Sequence, residues 1–192
     1  MAKTIIVIPA RLGSKRLPRK LMLRIKNKPI LQWTIEAAAK AIHASEIWVV
    51  TTTNPEDEEI LKFTKQFYDV RCFRGEEKDI ISRILAVANR TKADIIVSVD
   101  AEQPAIKPEY IDRTIAEIEN GAPFAYFGTA PIGQTRCYAF TRAILKDVFA
   151  IKDTRTDSEW YKLFEDYCNK PSWCVDTQED FDFIKEAMEL GS

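Results

Sequence analysis

Apolar positions in the first two thirds of the chain follow two alternating rhythms. Short, nearly continuous runs rich in Val and Ile occur within Thr4–Ile8, Glu46–Thr51, Val70–Phe73 and Asp94–Val99. Between them the apolar residues thin out to helical spacing. Leu31, Ile35, Ala38 and Ile42 form one such set, and Ile60, Leu61, Thr64 and Phe67 a second. Ile80, Ile81, Ile84, Leu85 and Ala88 form a third, and Lys107 to about Asn120 carries a fourth helix. A strand that is apolar at every position has no solvent face, so it predicts a sheet covered on both sides. Alternating with amphipathic helices, such strands predict an α/β fold with a mostly parallel central sheet flanked by helices.

The boundary residues agree with this reading. Pro29 suits the first turn of a helix, where its missing N–H costs nothing. Asn54 and Pro55 read as N-cap and first helical residue of a helix from Pro55 to Tyr68. Arg74-Gly75 stops the third strand, and Gly121 stops the fourth helix. Leu21–Ile25 reads as a short extended piece turning at Lys26-Asn27-Lys28. The C-terminal third is less regular. Strands are expected over Phe124–Thr129, Arg136–Thr141 and Ser172–Val175, and helices over Arg142–Ile151, Asp157–Asn169 and Gln178–Leu190. Thr156-Asp157-Ser158-Glu159 offers capping chemistry for the second of these helices.

Length and composition add bounds. With 192 residues, 46% hydrophobic and 30% charged, the chain has the makings of one soluble globular domain spanning 1–192. It holds no apolar run long enough for a transmembrane helix, and Ile5–Ile8 is too short for a signal-peptide core, so a cytoplasmic location with no membrane partner is expected. The four cysteines form no CxxC and no metal-like spacing with His43, the sole histidine. They read as reduced thiols, and His43 as structural; a zinc site or a histidine-dependent triad is not expected.

Charge changes the picture more. The chain has 28 basic and 29 acidic residues, yet Met1–Ile35 contains nine Lys or Arg and no acid. Five of these cations (Arg11, Lys15, Arg16, Arg19 and Lys20) lie in the loop that leaves the first strand. Ligands of open α/β sheets bind beyond the carboxyl ends of the strands. The candidates are therefore Arg11–Lys20, Thr51–Asn54, Arg74-Gly75, Asp100–Pro104 and, after the last predicted strand, Asp176. The first loop is neither a Walker P-loop nor a dinucleotide fingerprint. Even so, Gly13 permits close backbone approach, Ser14 offers a hydroxyl, and Arg11, Arg16 and Lys20 supply charge for phosphate oxygens. A solvated basic loop or a nucleic-acid patch is the alternative. Nucleic acid is disfavoured because no aromatics interleave the cations and the rest of the chain is acidic.

Pro9-Ala10-Arg11-Leu12-Gly13-Ser14-Lys15-Arg16-Leu17-Pro18-Arg19-Lys20 resembles the P-A-R-x-G-S-x-R-L-P-x-K signature of the cytidylyltransferases that activate acidic sugars, such as CMP-Kdo and CMP-sialic acid synthetases. The spore-coat polysaccharide SpsF-like branch is more similar still. It shares Thr51–Pro55, the Phe73-Arg74-Gly75 stretch leading to Asp79 and Ser82-Arg83, the Glu102-Gln103-Pro104 stretch and Val175–Asp180. The resemblance implies a Rossmann-like, glycosyltransferase-A-like fold and Mg²⁺-dependent transfer of CMP from CTP to a small anionic acceptor. By family position, Arg11, Ser14, Arg16 and Lys20 would handle the triphosphate. Glu102 and Asp176 would hold Mg²⁺, with Asp100 able to share that role. The Ala10 backbone, Thr52, Arg74 and Gly75 would surround base and ribose.

The chain departs from the family at two points. Ala101-Glu102 stands where the family has Gly-Asp, which lengthens the carboxylate by one methylene. Arg19 stands where glycine is common, which removes easy access to positive φ. The region from about 124 to 169 is shorter than in the sugar-acid synthetases, where it builds the acceptor pocket and a dimer interface. A homodimer is thus an open expectation, whereas Arg136 and Arg155 could face an anionic acceptor but read first as ordinary surface charges. A small glycosyltransferase, another NTP-dependent transferase of this fold, or a nucleotide-binding module without turnover are the competing functions.

Overall fold

The computed structural model describes residues 2–14, 16–129, 135–152 and 160–168. In chain order the elements are β1 (Thr4–Pro9), β2 (Arg24–Ile25), β3 (Lys28–Pro29), α1 (Ile30–Ala38), β4 (Glu46–Thr52), α2 (Glu58–Thr64) and β5 (Val70–Gly75). There follow α3 (Ile80–Thr91), β6 (Ile95–Val99), α4 (Pro108–Glu119), β7 (Phe124–Thr129), β8 (Thr135–Thr141), α5 (Arg142–Ile151) and α6 (Lys162–Cys168). Short 3₁₀ turns cover Lys20–Met22 and Pro55–Asp57.

The continuous apolar strands do what their pattern demands. Along β1, Ile6 and Ile8 enter one core with Leu31 and Ile35 of α1, Ile60 of α2, and Ile111 and Ile115 of α4. Ile5 and Val7 enter the other with Ile80, Ile81 and Ile84 of α3, Leu145 and Val148 of α5, and Phe164 of α6. The same alternation divides Val49 from Val50 in β4, Val97 from Ile96 in β6 and Ala139 from Phe140 in β8. A one-residue slip in register would exchange the two cores, so burial fixes the register.

The strand order is β5-β4-β1-β6-β8-β7. β5, β4, β1 and β6 run parallel, whereas β8 is antiparallel to both β6 and β7. From β1 the chain moves outward to β4 and β5, then returns to place β6 on the other side of β1. The ends of β1 and β6 therefore flank a topological switch point, where open α/β sheets form a crevice.

Several boundaries differ from the sequence reading. α1 stops at Ala38, and Ile42, 81% exposed, is not on its buried face. His43 follows the helix, and its backbone N–H donates to Asp112. Arg74 and Gly75 continue β5 rather than ending it, because both pair with β4. The helix expected from Pro55 to Tyr68 is a 3₁₀ turn followed by α2, and the Asn54 side chain makes no cap bond. Leu21–Ile25 is a 3₁₀ turn followed by one arm of a small hairpin, whose turn residues Lys26 and Asn27 both have positive φ. Gly121, with φ of 95°, stops α4 as expected. The strand expected at Ser172–Val175, the helix at Gln178–Leu190 and the capping stretch Thr156–Glu159 lie outside the described residues. Among the described residues no helix is long and apolar enough to cross a membrane.

Candidate active site

The loop after β1 is pinned at one residue and exposed on either side of it. The Ala10 N–H donates to the Val50 carbonyl (3.0 Å), which extends the β1–β4 ladder by one bond. Leu12 is 1% exposed and sits in the aliphatic core. Its N–H donates to Asp57 Oδ1 (2.7 Å), and its carbonyl accepts from Ser14 N–H (2.7 Å) and Arg19 N–H (3.2 Å). Arg11, Gly13, Arg16 and Arg19 are exposed around this anchor. The Ser14 hydroxyl accepts from Leu17 N–H (3.4 Å). A β-carbon on Gly13 would lie 2.8 Å from Glu56 Oε1, so that carboxylate rests against the loop backbone. Arg19 has φ of 55° and ψ of 25°, the left-handed conformation that a glycine adopts freely.

Lys20 carries the loop to the switch point. Its ammonium pairs with Glu102, which follows the neighbouring strand β6. Burial holds the Lys20 pKa below the ordinary lysine value of 10.5; Arg16 and Arg11 push the same way and Asp100 opposes them. The Glu102 side chain is 43% exposed, so solvent screens its hold on Lys20 despite the contact. Ala101, in the family's glycine position, needs no positive φ; it is 4% exposed within the aliphatic core, and its carbonyl accepts from Thr34 Oγ1 (3.0 Å). The methyl thus fills core space and leaves Asp100 and Glu102 at the strand end. Among the described residues no three His, Cys, Asp or Glu cluster as a metal cage. Mg²⁺ is commonly held by one or two carboxylates plus substrate phosphates, so the hard oxygens of Asp100 and Glu102 fit that ion without a cage. Asp176 lies outside the described residues.

The ends of β4 and β5 meet in register, with Thr52 opposite Gly75 and Thr51 opposite Arg74. The side chains of Thr52 and Arg74 are committed to the turn between β4 and α2. Thr52 is buried; its hydroxyl donates to Asp57 Oδ2 and accepts from Asn54 N–H (3.1 Å). Arg74 Nε donates to the Thr52 carbonyl (2.9 Å), one terminal nitrogen to the Asn54 carbonyl (3.0 Å), and the other to Glu58 (2.6 Å). The Gly75 carbonyl accepts from Thr53 N–H (3.1 Å). A β-carbon on Gly75 would come within 3.0 Å of both Phe73 and buried Arg83, and Arg83 in turn donates to the carbonyls of Glu76 and Glu77. These residues brace one another into a wall at this end of the sheet.

Sequence reasoning missed Asp57 and Glu58, which look like ordinary acids in the first turn of a helix. It also missed Lys152, whose ammonium pairs with Asp79 and lies 4.1 Å from the Phe149 ring centroid. β8 ends level with the start of β6, so α5 runs back along the sheet and brings Lys152 to the edge that carries the other strand ends. Burial lowers the Lys152 pKa. Asp79 also caps α3 by accepting from Ser82 N–H (2.9 Å), which places the start of that helix.

A cytidylyltransferase family model matches residues 5–169. The 3-deoxy-manno-octulosonate cytidylyltransferase of Escherichia coli is 27% identical over 164 residues, covering 84% of this chain and 63% of that protein. The spore coat polysaccharide biosynthesis protein SpsF of Bacillus subtilis is 26% identical over 137 residues, covering 69% of this chain and 57% of that protein. The matched part of this chain thus spans less than two thirds of either relative. Among solved structures, a cytidylyltransferase from Leptospira borgpetersenii superposes with a TM-score of 0.77 at 24% identity, covering 99% of this chain and 88% of that one. A CMP-2-keto-3-deoxy-manno-octonic acid synthetase complexed with CTP superposes with a TM-score of 0.67 at 19% identity, covering 100% of both chains. These superpositions establish a shared fold, and the family match over most of the chain establishes kinship: the chain belongs to the cytidylyltransferase family.

Proposed function

We propose that the chain transfers CMP from CTP to a small anionic acceptor, a sugar acid first among them, and releases pyrophosphate. The observation that carries this reading is the meeting of Lys20 and Glu102 at the switch point. It brings the cationic loop and the carboxylate strand end together at the edge where an open α/β sheet receives its ligand, which supports binding of a magnesium–triphosphate complex there. An acceptor oxyanion attacks the α-phosphorus in line, a new P–O bond forms, and the bond to the bridging oxygen of the β-phosphate breaks. Negative charge builds on the departing pyrophosphate, and Arg11, Arg16 and Lys20 neutralise it. Asp100 and Glu102, with Asp176 by family position, would hold Mg²⁺; when bound, the ion supplies charge neutralisation and a fixed geometry for the phosphates. The wall formed by Ala10, Thr52, Arg74 and Gly75 confines base and ribose, and Gly13 and Ser14 bring the loop backbone close to the phosphates.

Magnesium-dependent pyrophosphate release from CTP over a panel of sugar acids tests the reaction, and thermal stabilisation by CTP without acceptor tests the binding step. CTP is expected to be preferred to ATP in both. Failure of every nucleoside triphosphate to stabilise the protein with Mg²⁺ would overturn the reading. Stabilisation by a UDP-sugar but not by CTP would move it to a glycosyltransferase of the same fold.

A further inference from the structure

Asp57 is the N-cap of α2 by position, yet its carboxylate makes no cap bond. It is fully buried, and it turns both oxygens away from its own helix. Oδ1 accepts the N–H of Leu12, 45 positions earlier, at 2.7 Å, and Oδ2 accepts the hydroxyl of Thr52. Burying a carboxylate is costly unless its lone pairs are met by good donors, so an acid placed here must serve the groups it touches. Those groups are the anchor of the basic loop and the end of β4. Thr52 accepts from Asn54 N–H, and Arg74 clamps the carbonyls of Thr52 and Asn54. A continuous chain of hydrogen bonds thus runs from the end of β5, through the turn after β4, to the loop after β1.

We infer that Asp57 is a positioning residue: by holding the Leu12 N–H it fixes the loop that receives the triphosphate, and through Thr52 it sets that loop against the wall that receives the base. The inference rests on the CTP reading above. The Leu12 carbonyl is already taken by Ser14 and Arg19 within the turn, so the N–H bond to Asp57 ties the backbone of this compact turn at Leu12 to the start of α2. Asp57 touches no reacting atom, and it acts on the β- and γ-phosphates only through the loop. Its loss must therefore weaken CTP more than CMP, which lacks those phosphates.

Calorimetric titration of the whole protein with CTP and with CMP, in the presence of Mg²⁺, tests this. Asp57→Ala is expected to reduce CTP affinity about tenfold more than CMP affinity, the effect of losing a charge-assisted hydrogen bond at the loop's anchor. Asp57→Asn can still accept from Leu12 and donate to Thr52, and is expected to restore the parent's CTP preference to within about threefold. Should Asp57→Ala fail to fold, Thr52→Val removes the hydroxyl that orients the carboxylate and should lower the same ratio to a smaller extent. A folded Asp57→Ala or Thr52→Val protein that keeps the parent's CTP-to-CMP ratio would reduce Asp57 to a structural acid and overturn the inference. Amide hydrogen exchange separates this failure from failure of the CTP reading. Faster exchange at Leu12 and Arg19 in unliganded Asp57→Ala supports the anchoring role whatever nucleotide binds, and unchanged exchange there sinks it.

Discussion

The two halves of the central sheet use the same alternation of faces for different ends. In the parallel half, β5, β4, β1 and β6 deliver successive loops to a single edge, and buried Thr52 and Asp57 tie the loops after β1 and β4 together. In the antiparallel half, β7 and β8 face α5 and α6 with rings. Phe140 lies 4.4 Å from Phe164, Tyr138 stacks 5.2 Å from Tyr161, and Trp160 sits edge-on to Phe164. Antiparallel neighbours send consecutive connections to opposite edges, so only part of this half reaches the edge where every parallel strand ends, Lys152 among it. Strand direction thus concentrates the candidate site residues on the parallel half, while the rings of the antiparallel half close one core.

The largest expected effect tests whether that division is energetic as well as geometric. Phe140→Ala removes a fully buried ring from the aromatic cluster and should cost about 3–5 kcal/mol of unfolding free energy, measured by denaturant titration. The surviving folded fraction should keep the parent's preference for CTP over CMP. A changed preference would show that the aromatic half shapes the nucleotide site, and the comparison would fail.

Lys20→Ala should do the reverse. It is expected to weaken CTP by about 1.5–3 kcal/mol, the range for hydrogen bonds to charged groups, with CMP affinity and unfolding free energy little changed. Titration sharpens the point, because Lys20 has a pKa below 10.5 chiefly through burial. An ammonium kept partly from water costs the fold stability while charged, and that cost is released as pH rises past the lowered pKa. Triphosphate binding needs the proton and is lost over the same range. CTP affinity should therefore begin to fall below pH 10.5 while the unliganded protein gains stability. Lys20→Arg should remove both trends, because guanidinium does not titrate there. Parallel movement of affinity and stability would contradict the assignment.

The cationic edge of the sheet is legible in the sequence because its signals are local. A strand without polar residues must be buried on both faces, and five cations beside one glycine must then emerge at its end. The commitments of Thr52, Arg74 and Asp57 are not legible, because they depend on which strand ends become neighbours. Nothing near Asp57 in sequence announces a bond to Leu12, and an acid at the start of a helix already has a sufficient local reason. Thr52 and Arg74 are correctly read as belonging to the edge; that their side chains brace the turn follows only from the pairing of β4 with β5. Ile42 fails for a related reason: its spacing continues α1, but the helix has already ended.

The smallest expected effect concerns Arg19, where sequence and structure bear on one dihedral. The family's glycine is replaced here, yet the backbone keeps φ at 55°. A β-carbon in that conformation costs roughly 1–2 kcal/mol, whereas glycine gives back about 0.5–1 kcal/mol through its freer unfolded chain. The bond from Arg19 to Glu59 (2.5 Å) joins two half-exposed side chains, and such pairs contribute about 0–1 kcal/mol. These terms sum to between about −1 and +1.5 kcal/mol, with a midpoint just above zero. Arg19→Gly should therefore leave stability near the parent's or slightly raise it, a shift in melting temperature of about 2–4 °C per kcal/mol at this chain length. Arg19→Ala loses the same ion pair but keeps the strained β-carbon, so it should be less stable than both the parent and the glycine variant. The order glycine, parent, alanine in melting temperature would place the strain in the backbone of the loop. An alanine variant as stable as the glycine one would show that the turn relaxes around Arg19, and that the parallel half is less rigidly held at its edge than its hydrogen bonds imply.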